Sequence, residues 1–296
     1  MVDTFYSYHP VINFLYFTLV LLFSMFFMHP VCLGISLVCA FVYSIYLNGN
    51  KALRFNFLFL LPMLLVTALV NPAFNHEGTT ILLYLRNGNP LTLESITYGI
   101  AAAAMLVAVV CWFSCYNAVM TSDKFVYLFG RVIPALSLIL SMVLRFVPKF
   151  KAQLKVVSNA QKCIGRDISQ GGILHRARQG VRILSIMVTW ALENAIETAD
   201  SMKSRGYGLS GRTAFSIYTF DRRDRWALAA IGGLGLFILT GAFLGGLSFR
   251  YFPTMEGAGV SPWSVTLYAA YMALCLTPLI INVWEDRKWK YFQLDI

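Results

Sequence analysis

The side chains best suited to chemistry with a partner are concentrated between residues 149 and 225. This segment holds fourteen basic and six acidic residues, so it supplies a surplus of eight positive charges out of the chain's formal net charge of +10. It contains the run Ser204-Arg205-Gly206-Tyr207-Gly208 after a stretch with helical periodicity. Because a guanidinium offers five donors in a planar fork, Arg205 at a helix end could anchor in a groove of another protein.

A second reading of the same charges needs no protein partner. Basic residues next to membrane spans collect on the cytoplasmic side, and they also contact anionic lipid headgroups. Apolar stripes and basic helix ends are common features, so the spacing alone leaves the groove and the lipid surface as open alternatives.

Two helices must position these residues. Residues 149–166 predict a polar helix that ends near Gly165, and residues 174–203 predict a longer helix that ends at Gly206. Glycine ends helices because it adopts left-handed backbone angles without steric cost. The apolar positions of the longer helix recur every three or four residues and predict one apolar stripe. Its members are Val181, Leu184, Val188, Ala191, Ala195, Ala199 and Met202.

The rest of the chain has the composition of a membrane protein. Hydrophobic residues make up 58% and charged residues 13% of the 296 positions, whereas soluble domains carry about 25% charge. Several apolar runs approach the ~20 residues that span a bilayer, and a polar loop is predicted over 48–54. The predicted fold class is an all-α membrane protein with about six transmembrane helices and long cytoplasmic helices. The predicted spans are 11–28, 31–47, 55–70, 95–118, 226–247 and 263–284.

The positions of the charges also predict a topology. If both termini lie inside, the outside loops hold only Arg86 and Arg250, and the other 22 of the 24 Lys and Arg residues lie inside or at inner span ends. That asymmetry is what the positive-inside rule predicts. Residues 132–147 are apolar but short for a span, so a helix at the cytoplasmic surface is favoured over an additional crossing.

The same topology divides the chain into three predicted parts. Residues 1–120 form N-terminal transmembrane helices, residues 121–225 form a cytoplasmic helical region, and residues 226–296 form C-terminal transmembrane helices. The charged residues that could bind a partner therefore belong almost entirely to the middle part.

Several kinds of site are missing from the sequence. It has no Gly-x-x-x-x-Gly-Lys-Ser/Thr phosphate loop and no His-Glu-x-x-His zinc motif. Cys111 and Cys115 lie one helical turn apart, but no third metal ligand is evident nearby, so ordinary packing is expected. The predicted spans hold no Asp, Glu, Lys or Arg for a proton or ion relay. We expect no catalysis, cofactor or metal in this chain, and no nucleic-acid partner.

A family resemblance rests on two of these segments. Glu197-Thr198-Ala199-Asp200-Ser201-Met202-Lys203, followed by Ser204-Arg205-Gly206-Tyr207-Gly208, resembles the second Ala-Arg-Gly motif of the transmembrane T component (EcfT) of energy-coupling-factor (ECF) transporters. Asn159-Ala160-Gln161-Lys162-Cys163-Ile164-Gly165-Arg166 lies where the family's first motif is expected. The loop Asn71-Pro72-Ala73-Phe74-Asn75-His76 is also similar. The resemblance covers nearly the whole chain and is most specific over 181–208.

The resemblance implies a mechanism. Two ABC-type ATPases in the cytoplasm, expected here as a heterodimer, bind ATP and Mg and move together and apart. Two crossing coupling helices of the T component each place a motif arginine in a groove of one ATPase. The T component also holds a small substrate-binding S component, for uptake of vitamins or other micronutrients. The chain would be a multi-pass protein of a bacterial cell membrane, in contact with lipid, with both termini and the coupling helices cytoplasmic.

The resemblance also assigns roles to single residues. It implies that Arg205 anchors one ATPase, that Ser204 and Gly206 flank the anchor, and that the apolar stripe packs against the other coupling helix and the S component. The first motif departs from the family pattern, because Ile164 stands before Gly165 where the arginine is expected.

Two neighbours of that position could replace the missing arginine. Arg166 lies one residue past the glycine and Lys162 lies two residues before Ile164. Of the two, Arg166 is the expected ATPase contact.

Two other functions remain as alternatives. The first is a conventional ABC permease or a dedicated metal-importer subunit with its own cargo path, which should line several spans with polar residues. The second is a membrane scaffold bound to anionic lipid through residues 149–225. A scaffold would accept any cation in place of Arg205, whereas a groove contact would be damaged by Arg205→Lys because the planar fork is lost.

Overall fold

The computed structural model describes residues 4–84, 90–130, 134–166, 172–207, 209, 218–257, 259 and 261–294. In these residues the chain forms ten α-helices and two short antiparallel hairpins. The hairpins pair β1 (Ile81–Tyr84) with β2 (Pro90–Thr92), and β3 (Phe249–Arg250) with β4 (Glu256–Gly257). The helices are α1 (Pro10–Phe26), α2 (Pro30–Asn48), α3 (Asn50–Phe55), α4 (Leu61–Phe74), α5 (Leu93–Val119), α6 (Ser122–Gly130), α7 (Pro134–Cys163), α8 (Ile173–Ser204), α9 (Arg222–Phe243) and α10 (Pro262–Leu294).

Residue types explain where the membrane helices begin. α1 and α2 each start at a proline, whose missing N–H costs nothing at the first helical position. The histidines before these prolines, His9 and His29, act as N-caps, and the Nδ1 of each accepts the backbone N–H two residues further on at 3.3 Å. α9 starts with a capping box, in which the side chains of Asp221 and Asp224 accept each other's backbone N–H groups.

The helices confirm the prediction of an all-α membrane protein. By length and composition, five helical segments of the described chain can cross a membrane, and α1 is a sixth apolar helix of 17 residues. These six segments correspond to the six predicted spans. The five longer ones are Pro30–Asn48, Asn50–Phe74, Leu93–Val119, Arg222–Phe243 and Pro262–Lys288.

The structure corrects three predicted boundaries. Residues 71–74, predicted as the start of a loop, belong to α4, and Pro72 lies inside that helix. The predicted polar loop over 48–54 is instead mostly helical, because α3 continues through a π-helical turn, Asn56–Leu60, into α4. The predicted break between the apolar segment 132–147 and the polar helix 149–166 does not occur. Pro148 lies inside the single helix α7. A proline removes one backbone hydrogen bond from a helix interior, and here Pro148 is solvent-exposed, so water can satisfy the carbonyl that this leaves unpaired.

The chain folds into two compact units. The bundle unit consists of Met1–Lys124 and Tyr218–Ile296, and the inserted unit consists of Phe125–Ile217. Both predicted helix-terminal motifs therefore belong to the inserted unit, and all six membrane helices belong to the bundle unit. The predicted three-part division of the chain at residues 120 and 225 stays a prediction.

Aromatic and small residues pack the core of the bundle unit. Tyr16, Tyr43, Trp112 and Tyr271 are fully buried there. The small residues of α5 allow close packing, since a Cβ at Gly99 would lie only 2.7 Å from the carbonyl oxygen of Ala68 on α4. Van der Waals contact between helices is the main source of cohesion in lipid, and small residues permit it.

Candidate coupling site at two helix ends

The end of α8 is closed by a Schellman motif. Gly206 has a left-handed φ of 76°, which only glycine adopts at no cost. The amide of Tyr207 donates to the carbonyl of Met202, and the amide of Gly206 donates to the carbonyl of Lys203, both with N···O distances of 3.0 Å. These two bonds satisfy carbonyls that a helix end otherwise leaves unpaired. They also fix the direction in which Arg205 leaves the helix.

The end of α7 has the same backbone geometry. Gly165 has a φ of 77°. The amide of Arg166 donates to the carbonyl of Gln161, and the amide of Gly165 donates to the carbonyl of Lys162, both at 2.9 Å. The two ends are therefore equivalent position by position. Ile164 corresponds to Arg205, Gly165 to Gly206, and Arg166 to Tyr207, so the sequence departure at Ile164 lies at the structural position of the arginine.

The side chains at both ends face solvent. Ser204, Arg205 and Arg166 are exposed, and Ile164 has 63% of its surface exposed. In the part of the chain that the structure describes, the Arg205 guanidinium makes no hydrogen bond or ion pair. An isoleucine exposed to this degree at a helix end, and an arginine fork with unused donors, are both available to a binding partner.

A small core holds α7 and α8 together. Val157 of α7 packs with Ile183 and Met187 of α8, and all three are buried. The ring of Phe150 meets the indole of Trp190 edge-on, with centroids 5.2 Å apart. This contact fixes the two helices of the inserted unit against each other.

A polar contact lies beside this core. The ammonium of Lys149 donates to the side-chain oxygen of Asn194 at 2.6 Å and lies 5.4 Å from the ring centroid of Trp190. Sequence reasoning did not single out Phe150, Trp190 or Asn194. The sequence does show a large aromatic residue on each of two largely polar helices. The periodicity of apolar residues does not predict that these two rings contact each other.

The predicted apolar stripe of α8 lies on a different face from this core. Val181, Leu184 and Val188 have 67%, 63% and 51% of their surfaces exposed. Ala195 and Ala199 are exposed, and Ala191 and Met202 are half-buried. The predicted packing of the stripe on the other coupling helix is thus corrected, because α7 contacts the face of Ile183, Met187 and Trp190 instead. Packing of the stripe on an S component stays a prediction.

The cysteine pair of α5 lies in the core of the bundle unit. Cys111 and Cys115 are fully buried. Cys111 belongs to the hydrophobic core to which α1, α2, α5, α9 and α10 contribute. Among the described residues there is no group of three or more His, Cys, Asp or Glu side chains that could hold a metal ion. Both side chains therefore lie in an apolar core, and the absence of a metal at this pair stays a prediction.

Comparison with known families defines the class of protein. Residues 5–215 match the family model CbiQ, described as cobalt transport protein. The match covers more than half of the chain, so the chain belongs to the CbiQ family. It includes both helix ends and all but the last two membrane helices.

Individual relatives name a more specific kind of protein. The chain is 34% identical over 103 residues to the energy-coupling factor transporter transmembrane protein EcfT of Lactobacillus helveticus. It is 36% identical over 110 residues to EcfT of Lacticaseibacillus paracasei and 35% identical over 104 residues to EcfT of Streptococcus thermophilus. These matches cover 34%, 37% and 35% of this chain, and 37%, 40% and 39% of the respective relatives.

The family and the relatives agree with the sequence reading in its outline. The resemblance to EcfT proteins is confirmed, and the chain is a membrane protein of a transport family rather than an enzyme. The matched segments span about two fifths of the relatives' lengths. The partners, the cargo and the orientation in the membrane are therefore matters for proposal.

Proposed function

We propose that this chain is the transmembrane coupling component of an ECF-type importer. It transmits the ATP-driven motion of two cytoplasmic ATPases, which hold ATP and Mg, to a membrane-embedded S component that binds a vitamin or another micronutrient. Both termini and the inserted unit lie on the cytoplasmic side. The observation that carries the proposal is the pair of equivalent helix ends, of which one presents Arg205.

The geometry of the helix ends supports contact with two similar partners. Two identical backbone motifs suit two grooves of the same shape, as a pair of related ATPases would provide. The difference between Ile164 and Arg205 suits a heterodimer, because one groove then meets an apolar side chain and the other a planar cation. Arg166, one residue beyond Gly165, supplies the positive charge at the first end.

The exposed stripe of α8 supports contact with an S component. Val181, Leu184 and Val188 form an apolar surface that the inserted unit does not cover. Leu192 and Ile196 extend it, with 62% and 65% of their surfaces exposed. A contiguous exposed apolar surface marks a protein or membrane contact site. A small hydrophobic membrane protein is the partner that this proposal requires.

Co-purification from membranes tests the proposal. The tagged wild-type chain should bring down two ABC-type ATPases and a small membrane protein, and the complex should hydrolyse ATP. Arg205→Glu should lose ATPase while the membrane protein stays bound. Arg178→Glu is the matched control, because it makes the same charge change at an exposed position of the same helix.

The control also separates the proposal from a lipid-bound scaffold. A scaffold depends on total charge, so Arg178→Glu and Arg205→Glu should then weaken binding of the inserted unit to anionic lipid equally, and Arg205→Lys should be neutral. A groove contact predicts damage from Arg205→Lys and none from Arg178→Glu. If the wild type retains no ATPase in mild detergent, the coupling function is refuted.

Metal import is the second candidate, because the description of the matching family names cobalt transport. In this version the chain couples the same ATPases to a metal-specific membrane partner. The small membrane protein that co-purifies decides between the two: a histidine-rich or cysteine-rich cavity would indicate metal cargo, and a pocket shaped for an organic cofactor would indicate a vitamin.

A further inference from the structure

The chain passes between the bundle unit and the inserted unit twice, and one short segment lies at both passages. The first passage follows Lys124 and the second precedes Tyr218. The segment Thr4–His9, which we term the N-terminal clasp, contains a 3-10 turn, Phe5–Ser7, before α1. The contacts described below all lie within the bundle unit.

The first passage is fastened by a buried lysine. Lys124 has only 2% of its surface exposed. Its ammonium donates to the carbonyl of Tyr6 and to the carbonyl of Val119 at 3.3 Å, and it lies 3.8 Å from the ring centroid of Tyr6. In the amide orientation that satisfies both of its partners, Asn13 accepts from Lys124 at 2.8 Å and donates to the carbonyl of Phe5 at 3.1 Å.

Such a lysine restrains the chain strongly. Burying an ammonium is costly unless it is fully hydrogen-bonded, so losing any of these partners is penalised. Val119 is the last residue of α5, where a cation also meets the negative end of the helix dipole. Lys124 therefore ties the end of α5, and with it the chain that enters the inserted unit, to the clasp.

The second passage is fastened by aromatic contacts. The ring of His9 meets the rings of Phe220 and Tyr218 edge-on, with centroids 5.0 and 6.4 Å apart. Burial lowers the pKa of His9, although the nearby Asp224 carboxylate opposes that shift. These are the first two aromatic residues after the inserted unit, so the chain that leaves it also lies against the clasp.

Charged residues at the start of α9 complete the second fastening. The backbone amide of His9 donates to the carboxylate of Asp224 at 3.5 Å. The Arg223 guanidinium lies 4.3 Å from the ring centroid of Tyr8 and donates to the Ser7 hydroxyl at 3.5 Å. It also pairs with Glu285 of α10 at 3.5 Å.

The clasp itself is anchored in the bundle. Phe5 is fully buried and donates its amide to the side-chain oxygen of Asn282 on α10 at 3.0 Å. Its ring meets that of Tyr16 on α1 edge-on, with centroids 5.3 Å apart. One anchored segment thus holds both covalent connections of the inserted unit to the membrane helices.

We infer that the N-terminal clasp is the positioning element through which motion of the inserted unit reaches α1, α9 and α10, with Lys124 and Arg223 as its fastening residues. This inference rests on the proposed coupling function. A motion of the inserted unit that pulls on both connecting segments then acts on a single segment, the clasp. Without the fastening residues, the two connecting segments would change conformation instead, and the motion would not reach the membrane helices.

Hydrogen–deuterium exchange of the purified complex with its ATPases tests the inference. Each complex is measured without nucleotide and with Mg-ATP and orthovanadate. In the wild type, nucleotide should change exchange both in α7 and α8 and in residues 4–26. In Lys124→Met and in Arg223→Gln, the change in α7 and α8 should remain and the change in residues 4–26 should be lost, while nucleotide-free exchange of α2 and α4 is unaltered.

Matched controls remove the same charges at side chains that make no contact with the clasp in the described part of the chain. Lys51→Met and Arg225→Gln alter exposed cations of the bundle unit, and they should behave as wild type. Because both fastening residues act through one segment, the double variant should lose no more than the more severe single variant.

Other outcomes overturn the inference. A nucleotide response that persists in residues 4–26 of both variants would show that the clasp does not carry the motion. Raised nucleotide-free exchange throughout the bundle in both variants would show a purely structural role. If Lys124→Met does not fold, Arg223→Gln decides, since that side chain is 41% exposed. A wild-type complex without any nucleotide response in α7 and α8 would refute the coupling function instead.

Discussion

The ends of α7 and α8 have the same backbone geometry and differ in the side chain that this geometry presents. Gly165 and Gly206 have φ angles of 77° and 76°, and the same pair of backbone hydrogen bonds closes each helix end. At the position before the glycine, one end carries Ile164 and the other carries Arg205. The comparison separates two features: the glycine shapes the helix end, and the preceding side chain is the one that we propose distinguishes what the two ends bind.

The largest effect on stability is expected at the contact that holds the two helices together. Met187→Ala should lower the free energy of unfolding of the inserted unit by about 2–5 kcal/mol, the range for truncating a buried methionine. Leu184→Ala, on the exposed stripe, should change it by less than about 0.5 kcal/mol. Thermal unfolding of the purified chain in detergent measures both. Equal losses would mean that the stripe, and not the Met187 face, packs in the unit.

Exchanging the two distinguishing side chains should exchange the binding properties. Arg205→Ile should weaken ATPase binding by about 2 kcal/mol or more, or roughly 30-fold, if Arg205 is a binding hot spot. Ile164→Arg should not restore it, because the added arginine sits at the other end. Titration of the purified ATPases onto the chain in nanodiscs measures the affinities. An unchanged affinity for Arg205→Ile would remove the arginine from the interface.

Substitution of the glycines tests whether the backbones are equivalent. Gly165→Ala and Gly206→Ala should each lower the stability of their helix end by about 1–2 kcal/mol, because alanine is strained at a left-handed φ. Asparagine tolerates that conformation better, so Gly165→Asn and Gly206→Asn should cost less. Hydrogen exchange of the backbone amides in the last turn of each helix measures this loss of stability. A cost at only one end would show that the other end has a different backbone in the assembled complex.

The smallest effect is expected from the charge beyond Gly165. Arg166→Ala should weaken ATPase binding by at most about 1 kcal/mol, as is usual for a solvent-exposed charge pair. Lys155→Ala, which removes a charge from another exposed position of α7, is the control. The same nanodisc titration applies at low and high salt, since screening should remove the effect of Arg166. A loss as large as that of Arg205→Ile would make Arg166 a full replacement for the missing arginine.

Much of the fold follows from local sequence. Apolar runs of near-bilayer length locate the six membrane helices, and Gly165 and Gly206 locate the ends of α7 and α8. The failures at residues 48–54 and at Pro148 have one physical cause. Polar residues and proline disfavour a continuing helix only locally, and a helix continues when its neighbouring turns are favourable and the unpaired carbonyl reaches solvent.

The candidate site could be found from the sequence, but the contacts of the N-terminal clasp could not. The residues of the motif around Arg205 are adjacent in the chain, so the motif can be recognised from the sequence alone. The fastening of Lys124 to Tyr6 joins residues 118 positions apart, and the contact of His9 with Asp224 joins residues 215 positions apart. The periodicity of apolar residues along a helix does not indicate which distant residues form such pairs.

The sequence by itself determined the membrane class, the helix ends and the residue that distinguishes them, because each depends on composition or on neighbours within a few turns. The tertiary structure alone decided which face of α8 is buried. Both Met187 and Leu184 are apolar and lie one helical turn apart, and only the position of Val157 on α7 selects between them. It also decided that one N-terminal segment meets both passages of the chain, since burial and pairing of distant residues arise only once the helices have packed.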